Sequence, residues 1–446
     1  MLGSLDAGTM HAMSDAAETT LAHAPDDGGP ITTNLVTATW ALFLGLGLLL
    51  AGAGLIGTLL GVRSEQLGFS RLVSGGISAA YYAGFLAGSR LALGALGRVG
   101  HVRVFAALAA LASASVLAQG LAAYPAVWIP MRFVTGLCMA GQYVVAESWL
   151  NGLASNENRG RLLAIYMVVT SLGFGAGQLL VGAGNTATLG LFAVASLLFS
   201  LAVTPVALSE TTGPSIDRSA HISLRELAAI VPTGIGTALL VGVAHGALTG
   251  LGPVYATAVG LRPSQVAAFV AAPMVGGVVF QWSISAASDD IDRRAVALAV
   301  SLVAVVTSVA LTIHPSGTWL SYAAMFVLGG MTFPLYSLAA AYTNDWTPPD
   351  RMMAAASQLV TVYGLGALVG PIVAGAGMTG AGPHSFFWTI AAMHAAIAAF
   401  VFYRLLAWRA PLAKAPWSEV SFPARAFFIP ATVVAVGRRL RPRRER

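Results

Sequence analysis

Two ionisable residues, Arg132 and Glu147, stand inside one otherwise apolar stretch of the chain. A charge at the centre of a membrane helix costs about 2.5 kcal/mol or more, so such residues commonly mark a substrate or proton pathway. Their spacing corresponds to about 22 Å along a helix axis, which is too far for the two to pair. At 100° per residue they fall within about 60° of each other, on a face that also carries Gly136, Met139 and Tyr143. That face is predicted to point into a helix bundle.

Each of the two residues has a structural and a functional interpretation. Arg132 either caps backbone carbonyls and holds helix packing, or contacts a negative group of a substrate or handles protons. No acidic residue stands at similar depth in another apolar stretch, so the sequence offers no obvious counter-ion for Arg132. This favours an anionic or hydrogen-bonding substrate. Glu147 either forms a salt bridge at the helix end with Arg90, Arg98 or Arg159, or carries a coupling proton.

Neutral polar and aromatic residues inside apolar stretches are further candidates for a solute or proton pathway. Interhelical hydrogen bonds, worth about 0.6 kcal/mol each in a membrane, are the structural alternative for every one of them. His245 has no Cys, Asp or Glu at ligand spacing, so neither a metal site nor a cofactor is predicted. The candidates, besides Arg132 and Glu147, are Tyr81, Gln142, Tyr143, Gln178, His245, Gln281, Trp282 and Gln358.

The elements that position these residues must be membrane helices. The 446-residue chain is 57% hydrophobic and 9% charged, against about 25% charged residues in soluble domains. A soluble fold cannot bury that much apolar surface, and a helix needs about 20 apolar residues to cross a membrane. The sequence therefore predicts an all-α membrane protein with twelve spans, near residues 36–61, 73–96, 103–123, 126–150, 161–183, 187–208, 231–258, 264–287, 295–314, 318–342, 352–376 and 384–408.

Arginine placement predicts the orientation of the chain. Cytoplasmic loops of membrane proteins carry an excess of Lys and Arg. With both termini inside, nine loop arginines are cytoplasmic, whereas Arg63, Arg71 and Arg262 are outside. One lysine among many arginines, with abundant Ala and Gly, is typical of a GC-rich bacterial genome, so the bacterial cytoplasmic membrane is predicted. The nine are Arg98, Arg103, Arg159, Arg161, Arg218, Arg225, Arg293, Arg294 and Arg351.

The chain repeats itself at an offset of about 192 residues. Gly84 maps on Gly276, and Gly173 and Gly175 map on Gly364 and Gly366 at an offset of 191. Parallel six-helix repeats are how one transporter architecture is built, with a central site at the midplane. The predicted organisation is a disordered cytoplasmic tail (1–34), two pseudo-symmetric six-helix bundles (35–208 and 231–408) joined by a cytoplasmic linker (209–230), and a basic cytoplasmic tail (409–446).

Short loop and helix motifs add to the repeat. The loop after the eighth span keeps an acid and a basic pair, whereas the loop after the second span has Gly97 in place of the acid. The fourth span carries Arg-x-x-x-Gly at Arg132 and Gly136, and Glu147 is followed twelve residues on by Arg159-Gly160-Arg161. The fifth span has Gly177-Gln178 and no Gly-Pro pair, which stands instead at Gly370-Pro371.

With these motifs the chain resembles the major facilitator superfamily over residues 35 to 408, and a subgroup of bacterial permeases within it. The resemblance implies a secondary active transporter that moves a small organic solute by alternating access and is coupled to protons. The lost acid at Gly97 motivates the alternative of a non-transporting membrane sensor or passive facilitator on the same fold. The resemblance also implies a cytoplasmic gate formed by Arg98, Arg103, Arg159, Arg161, Asp289, Arg293 and Arg294.

Other classes of function are disfavoured. No nucleophile–base pair and no paired carboxylates stand within a span, so an enzyme is not expected. Six of the last nine residues are arginine, which fits contact with anionic lipid headgroups better than with nucleic acid. The predicted partners are the solute, protons and anionic lipids at this basic tail, with the protein as a monomer.

Overall fold

The computed structural model describes residues 31–407, apart from 154–158, 209–221, 315 and 349–350. The predicted tails, apart from residues 31–34, and most of the predicted linker therefore lie outside the described residues. Contacts along the chain divide it into two units, Met1–Trp40 and Ala41–Arg446. In the first, residues 31–40 are helical. The second unit holds everything discussed below.

Twelve long helices run through the described residues, and those residues include no strand. The helices confirm the predicted all-α architecture, and their ends differ from the predicted spans by a few residues. Helix α6 is interrupted at Ala202 and α10 at Phe333, which precedes Pro334. The bounds are α1 Ile31–Gln66, α2 Arg71–Val99, α3 His101–Leu121, α4 Pro125–Leu153, α5 Arg159–Leu180, α6 Gly190–Ala207, α7 Pro232–Ala258, α8 Pro263–Asp290, α9 Arg293–Ile313, α10 Trp319–Trp346, α11 Met352–Ala381 and α12 Ser385–Ala407.

Ten of these helices are long and apolar enough to cross a membrane by length and composition. Helices α2 and α4 are as long but more polar, and α4 carries Arg132 and Glu147. Side chains such as Leu172 and Val306 point outward and are more than two-thirds exposed, at 68% and 69%. A ring of apolar side chains on the outside of the helices suits hydrocarbon rather than water. The protein is a multi-pass membrane protein.

Glycines at helix crossings demonstrate the internal repeat in three dimensions. A side chain at Gly84 would meet the carbonyl of Phe133, and one at Gly276 would meet the carbonyl of Phe326. The predicted correspondence of Gly84 with Gly276 is therefore confirmed. Two further contacts of the first half recur in the second half, with each residue 192 or 193 positions later. The contact of Gly54 with Phe174 corresponds to that of Gly246 with Ala367, and the contact of Gly136 with Tyr81 corresponds to that of Gly329 with Pro273.

One predicted correspondence is wrong by two residues. Gly173 packs on Gly47 and Gly366 packs on Leu239, so Gly173 corresponds to Gly366 and not to Gly364. The offset grows from 192 to 193 after α2, because the second half has one more residue before its fourth helix. Counting from matching glycines alone misses this insertion, since glycine is frequent throughout both halves.

The halves, residues 41–207 and 232–407, meet closely at one end of the helices. We call this the α1–α2 end, because α1 ends and α2 begins there; the opposite end is the α2–α3 end. A side chain at Gly182 would lie 3.0 Å from the Cα atom of Ser264, and one at Gly375 would meet the carbonyl of Arg71. The Leu72 backbone N–H donates to Thr379 Oγ1 at 3.0 Å. The α1–α2 end is therefore sealed by backbone-to-backbone contact between the halves.

Candidate functional site

A cavity with an empty volume of about 670 Å³, open solvent included, lies where the halves meet. Five helices of the central region line most of it, namely α1, α2, α4 and α5 of the first half and α7 of the second. Three of the predicted pathway residues of the first half, Tyr81, Arg132 and Gln178, line it together with His245 of the second half. The structure thus brings four of the ten predicted residues into one cavity.

Arg132 and Tyr81 form the central contact of this cavity. The guanidinium carbon of Arg132 lies 4.5 Å from the centroid of the Tyr81 ring, within the range of a cation–π interaction. Gly136 explains the contact, because it lets α4 touch the backbone carbonyl of Tyr81 and Arg132 lies one turn earlier on the same face. The Arg-x-x-x-Gly spacing in α4 thus fixes the guanidinium over the ring.

Gln178 reaches the cavity by a similar close crossing. Gly54 of α1 contacts the carbonyl of Phe174 and the backbone nitrogen of Gln178, which brings this turn of α5 against α1. The Gln178 side chain is buried, and its Oε1 atom has no hydrogen-bond partner among the described residues. Because Gly177 and Gly370 make matching contacts, Gln178 occupies the position that Pro371 holds in α11.

The second half contributes aromatic and hydroxyl groups. His245 of α7 is buried, and its ring lies 4.7 Å from that of Phe333 and 5.6 Å from that of Tyr363. One turn later Thr249 forms a hydrogen bond of 2.8 Å with the hydroxyl of Tyr82 in the first half. This bond joins the halves directly beside the cavity.

Tyr82 also borders a second cavity. That cavity lies between α2 and α11, and its lining includes Phe85, Ser89, Thr361 and Gly364. Ser89 and Thr361 belong to the parts of α2 and α11 nearer the α2–α3 end. Tyr82 therefore stands between the central cavity and a second space toward that end.

Tyr143 and Glu147 lie on the same face of α4 as Arg132, beyond the cavity. Aromatic rings connect the two regions, with ring centroids 6.3 Å apart for Tyr81 and Phe85 and 6.1 Å apart for Phe85 and Tyr143. Glu147 is buried, at 8% exposure. The predicted inward-facing stripe of α4 thus runs from Arg132 to Glu147 within the bundle.

Some predicted pathway residues lie elsewhere. Trp282 is 65% exposed in α8, and its role as a pathway residue stays a prediction. Gln281 is buried within the second half, where its Nε2 donates to Ser285 Oγ. Gln358 donates to the carbonyl of Ile222 in the linker. Gln142 is fully buried, and neither amide atom has a hydrogen-bond partner among the described residues.

The predicted gate residues divide into two groups. Asp289, Arg293 and Arg294 form a buried cluster at the α2–α3 end of the second half. Arg293 Nε lies 2.8 Å from Asp345 Oδ2, and Arg294 Nη2 lies 2.7 Å from Asp292 Oδ2. Asp345 was missing from the prediction, because its partner lies 52 residues earlier in the chain.

The first half has no such cluster in the residues described. At the position that corresponds to Arg293 stands His101, and its Nε2 forms a hydrogen bond of 2.9 Å with Ser148. Arg98 and Arg103 are exposed and form no ion pair with another described residue. The side chains of Arg159 and Arg161 lie outside the part of the chain that is described.

Comparisons with known proteins agree with this architecture. The sequence matches the Major Facilitator Superfamily over residues 42–262 and 234–442. Two relatives, both described as the uncharacterized MFS-type transporter YcaD, come from Escherichia fergusonii and Escherichia coli O45:K1. The first is 28% identical over 67% of this chain and 77% of the relative, and the second is 28% identical over 74% and 86%.

Two solved structures share the fold. The nucleoside transporter NupG, as a D323A mutant, has a TM-score of 0.71 and 13% identity over 82% of this chain and 99% of its own. A bacterial homologue of the human lysosomal transporter Spinster has a TM-score of 0.67 and 16% identity over 85% and 98%. Twelve helices in two related halves around a central cavity define a membrane transporter. The chain belongs to the major facilitator superfamily.

Proposed function

We propose that this protein is a secondary active transporter that moves a small organic solute across the bacterial cytoplasmic membrane by alternating access. The observation that carries the proposal is the central cavity between two related halves, sealed at the α1–α2 end and followed by a second cavity toward the other end. A carrier needs both a site at the junction of the halves and an asymmetric seal.

The orientation of this state follows from the arginines. The positive-inside rule supports a cytoplasmic location for the α2–α3 end. The seal at the α1–α2 end then closes the protein to the outside. On this proposal, the described arrangement is the inward-facing state. Solute then exchanges with the cytoplasm past Tyr82.

Proton coupling is assigned to Glu147. Acidic residues buried in membrane helices commonly form proton relays, and Glu147 is buried within α4. Glu147 shares a face of α4 with Arg132, and the rings of Tyr81, Phe85 and Tyr143 lie between them. Because Glu147 and Arg132 lie on the same helix, a change of charge at Glu147 acts on the helix that carries the arginine of the cavity.

The experiment is solute-driven proton movement in liposomes. Purified protein is reconstituted with a pH-sensitive dye in the lumen, and solutes are added outside, with tracer flux measured in parallel. We expect a solute-dependent change of luminal pH that Glu147→Gln abolishes. Glu226→Gln is the matched control, because Glu226 is an exposed acid of the short helix Leu224–Ile230 in the linker and pairs with Arg351 on the surface.

Each outcome separates the alternatives. Tracer flux without a pH change would leave a facilitator and remove the role of Glu147. Binding of solutes without any flux would favour a non-transporting sensor, which the missing acid at Gly97 would then explain. Loss of the pH signal in Glu226→Gln as well would show that the effect of Glu147→Gln is not specific.

A further inference from the structure

We infer that the solute is a small organic anion with an apolar body, whose negative group binds Arg132. This inference rests on the proposed function, because it assigns a ligand class to the same central cavity. It follows from the charge of the cavity lining, the surroundings of the guanidinium and the apolar remainder of the walls, and the unpartnered carbonyl oxygen of Gln178 adds a place for a hydrogen-bond donor of the ligand.

The lining carries one permanent charge. Arg132 is its only Arg or Lys, and among the described residues that line the cavity there is no Asp or Glu. Nor does Arg132 form an ion pair with any carboxylate in the described part of the chain. A positive charge in a membrane bundle without an acidic partner is costly, and an anionic ligand removes that cost.

The Tyr81 ring leaves the guanidinium available. A cation–π contact stabilises the cation by about 0.5–2 kcal/mol but does not use its N–H donors. The guanidinium carries five N–H groups in a planar fork that matches the two oxygens of a carboxylate. The guanidinium carbon lies over the Tyr81 ring, and the N–H groups of the fork can bind a planar anionic group. A carboxylate is therefore the ligand group that fits best.

Gln178 supplies an independent observation. Its side chain is buried at 5% exposure and lines the same cavity, yet its Oε1 atom has no partner in the described residues. An acceptor oxygen that is buried without a partner costs about 1–3 kcal/mol, so a ligand whose body also carries an O–H or N–H donor gains that energy. By contrast Ser78 already donates to the carbonyl of Gly250, and Thr135 to that of Met131.

The rest of the lining sets the shape of the ligand. Ala53, Ile56, Phe174 and Met274 present apolar surface around the polar groups. An apolar body next to one anionic group thus fits better than a polyol, a polyanion or a cation.

The test measures binding to the purified protein in detergent, so that it does not depend on transport. Pairs of ligands with the same shape and different charge are compared by thermal stabilisation and by isothermal titration: benzoate with benzamide, and hexanoate with hexanamide. Inorganic phosphate and sulfate test for anion binding without an apolar body. The variants are Arg132→Gln, Arg132→Lys and, as the matched control, Arg225→Gln at an exposed position of the linker.

We expect at least one organic anion to bind, with its amide and the inorganic anions at least tenfold weaker. Arg132→Gln should weaken anion binding at least about 30-fold, the effect of losing one partner of a buried charge pair. Arg132→Lys should retain part of the affinity, and Arg225→Gln all of it. Melting temperatures of the unliganded variants show whether each is folded.

Three results would overturn the inference: equal binding of anions and amides, anion binding that survives in folded Arg132→Gln, and the absence of binding by every organic anion. None of these results bears on proton-coupled flux in liposomes. The inference and the proposed function therefore fail separately, because transport of a neutral solute would leave the second intact.

Discussion

Tyr82 and Thr249 join the two halves of the protein through their hydroxyl groups, which lie 2.8 Å apart beside the central cavity. The bond spans 167 residues of sequence and connects α2 with α7. Ser78, one turn earlier in α2, donates to the Gly250 carbonyl at 3.0 Å. Both bonds must break when the halves separate at the α1–α2 end, so they stabilise the described state against the alternative one.

Removing the Tyr82 hydroxyl should therefore shift the protein toward opening at the α1–α2 end. A buried hydrogen bond contributes about 1 kcal/mol, so Tyr82→Phe should raise the population of that state about fivefold. Labelling of Thr58→Cys by a membrane-impermeant maleimide, in a Cys138→Ser background, measures it, because Thr58 lines the cavity and is buried. Tyr124→Phe, at an exposed tyrosine, is the control. Equal labelling rates in Tyr82→Phe and its parent would contradict the prediction.

A substitution at Gly375, which packs closely at the α1–α2 end, should shift the same equilibrium further. Any side chain at Gly375 would overlap the carbonyl of Arg71, so Gly375→Val should hold this end apart. Overpacking of this kind typically costs about 1–3 kcal/mol, and labelling of Thr58→Cys should rise about tenfold or more. Gly380→Val is the matched control, because a side chain at Gly380 meets nothing within 4 Å on the same helix. The role of Gly375 would be refuted by equal acceleration in both variants.

Much of the fold is predictable from sequence because the membrane imposes one rule on every helix. About 20 apolar residues are needed to cross it, and the backbone must hydrogen-bond within the helix. The predicted spans 103–123 and 231–258 therefore lie close to the observed helices His101–Leu121 and Pro232–Ala258. Arg132 is predictable as a site residue for a related reason. A charged side chain inside a membrane is costly unless it has a function or a partner.

The site was harder to predict than the fold, because orientation around a helix axis depends on neighbours. Trp282 and Gln281 are adjacent in sequence, yet one is exposed and the other buried within the second half. Tyr82 and Thr249 face each other only because α2 and α7 meet across the halves. Contacts of this kind are long-range in sequence, and the 192-residue repeat does not predict them because it relates equivalent helices rather than neighbouring ones.

The buried pair of Arg293 and Asp345 is expected to hold the second half together. Their side chains are 2% and 1% exposed, so Arg293→Gln would leave a buried carboxylate without its closest partner. Breaking such a pair costs about 3–5 kcal/mol, and the melting temperature in detergent should fall by about 5 °C or more. Arg103→Gln, at an exposed arginine, should leave it unchanged.

A double variant separates this charge effect from a loss of packing. Replacing both partners with apolar residues of similar size removes the buried charge of Asp345, so Arg293→Met with Asp345→Leu should recover part of the lost stability. Asp289 Oδ1, which lies 3.4 Å from Arg293 Nη1, loses that contact in both variants. If the double variant is less stable than Arg293→Gln, the pair does not act through charge compensation.

A negative charge built into the cavity should displace an anionic solute. Gln178→Glu keeps the shape of a side chain that lines the same cavity as Arg132. Because opposite charges interact strongly in a partly buried site, the new carboxylate should compensate Arg132 and weaken anion binding on the order of tenfold or more. Gln178→Met, which adds no charge, should change the anion affinity far less. Lowering the pH protonates the introduced carboxylate and should restore binding of benzenesulfonate, which stays ionised. Unchanged anion affinity in a folded Gln178→Glu protein would show that Arg132 does not select the solute by charge.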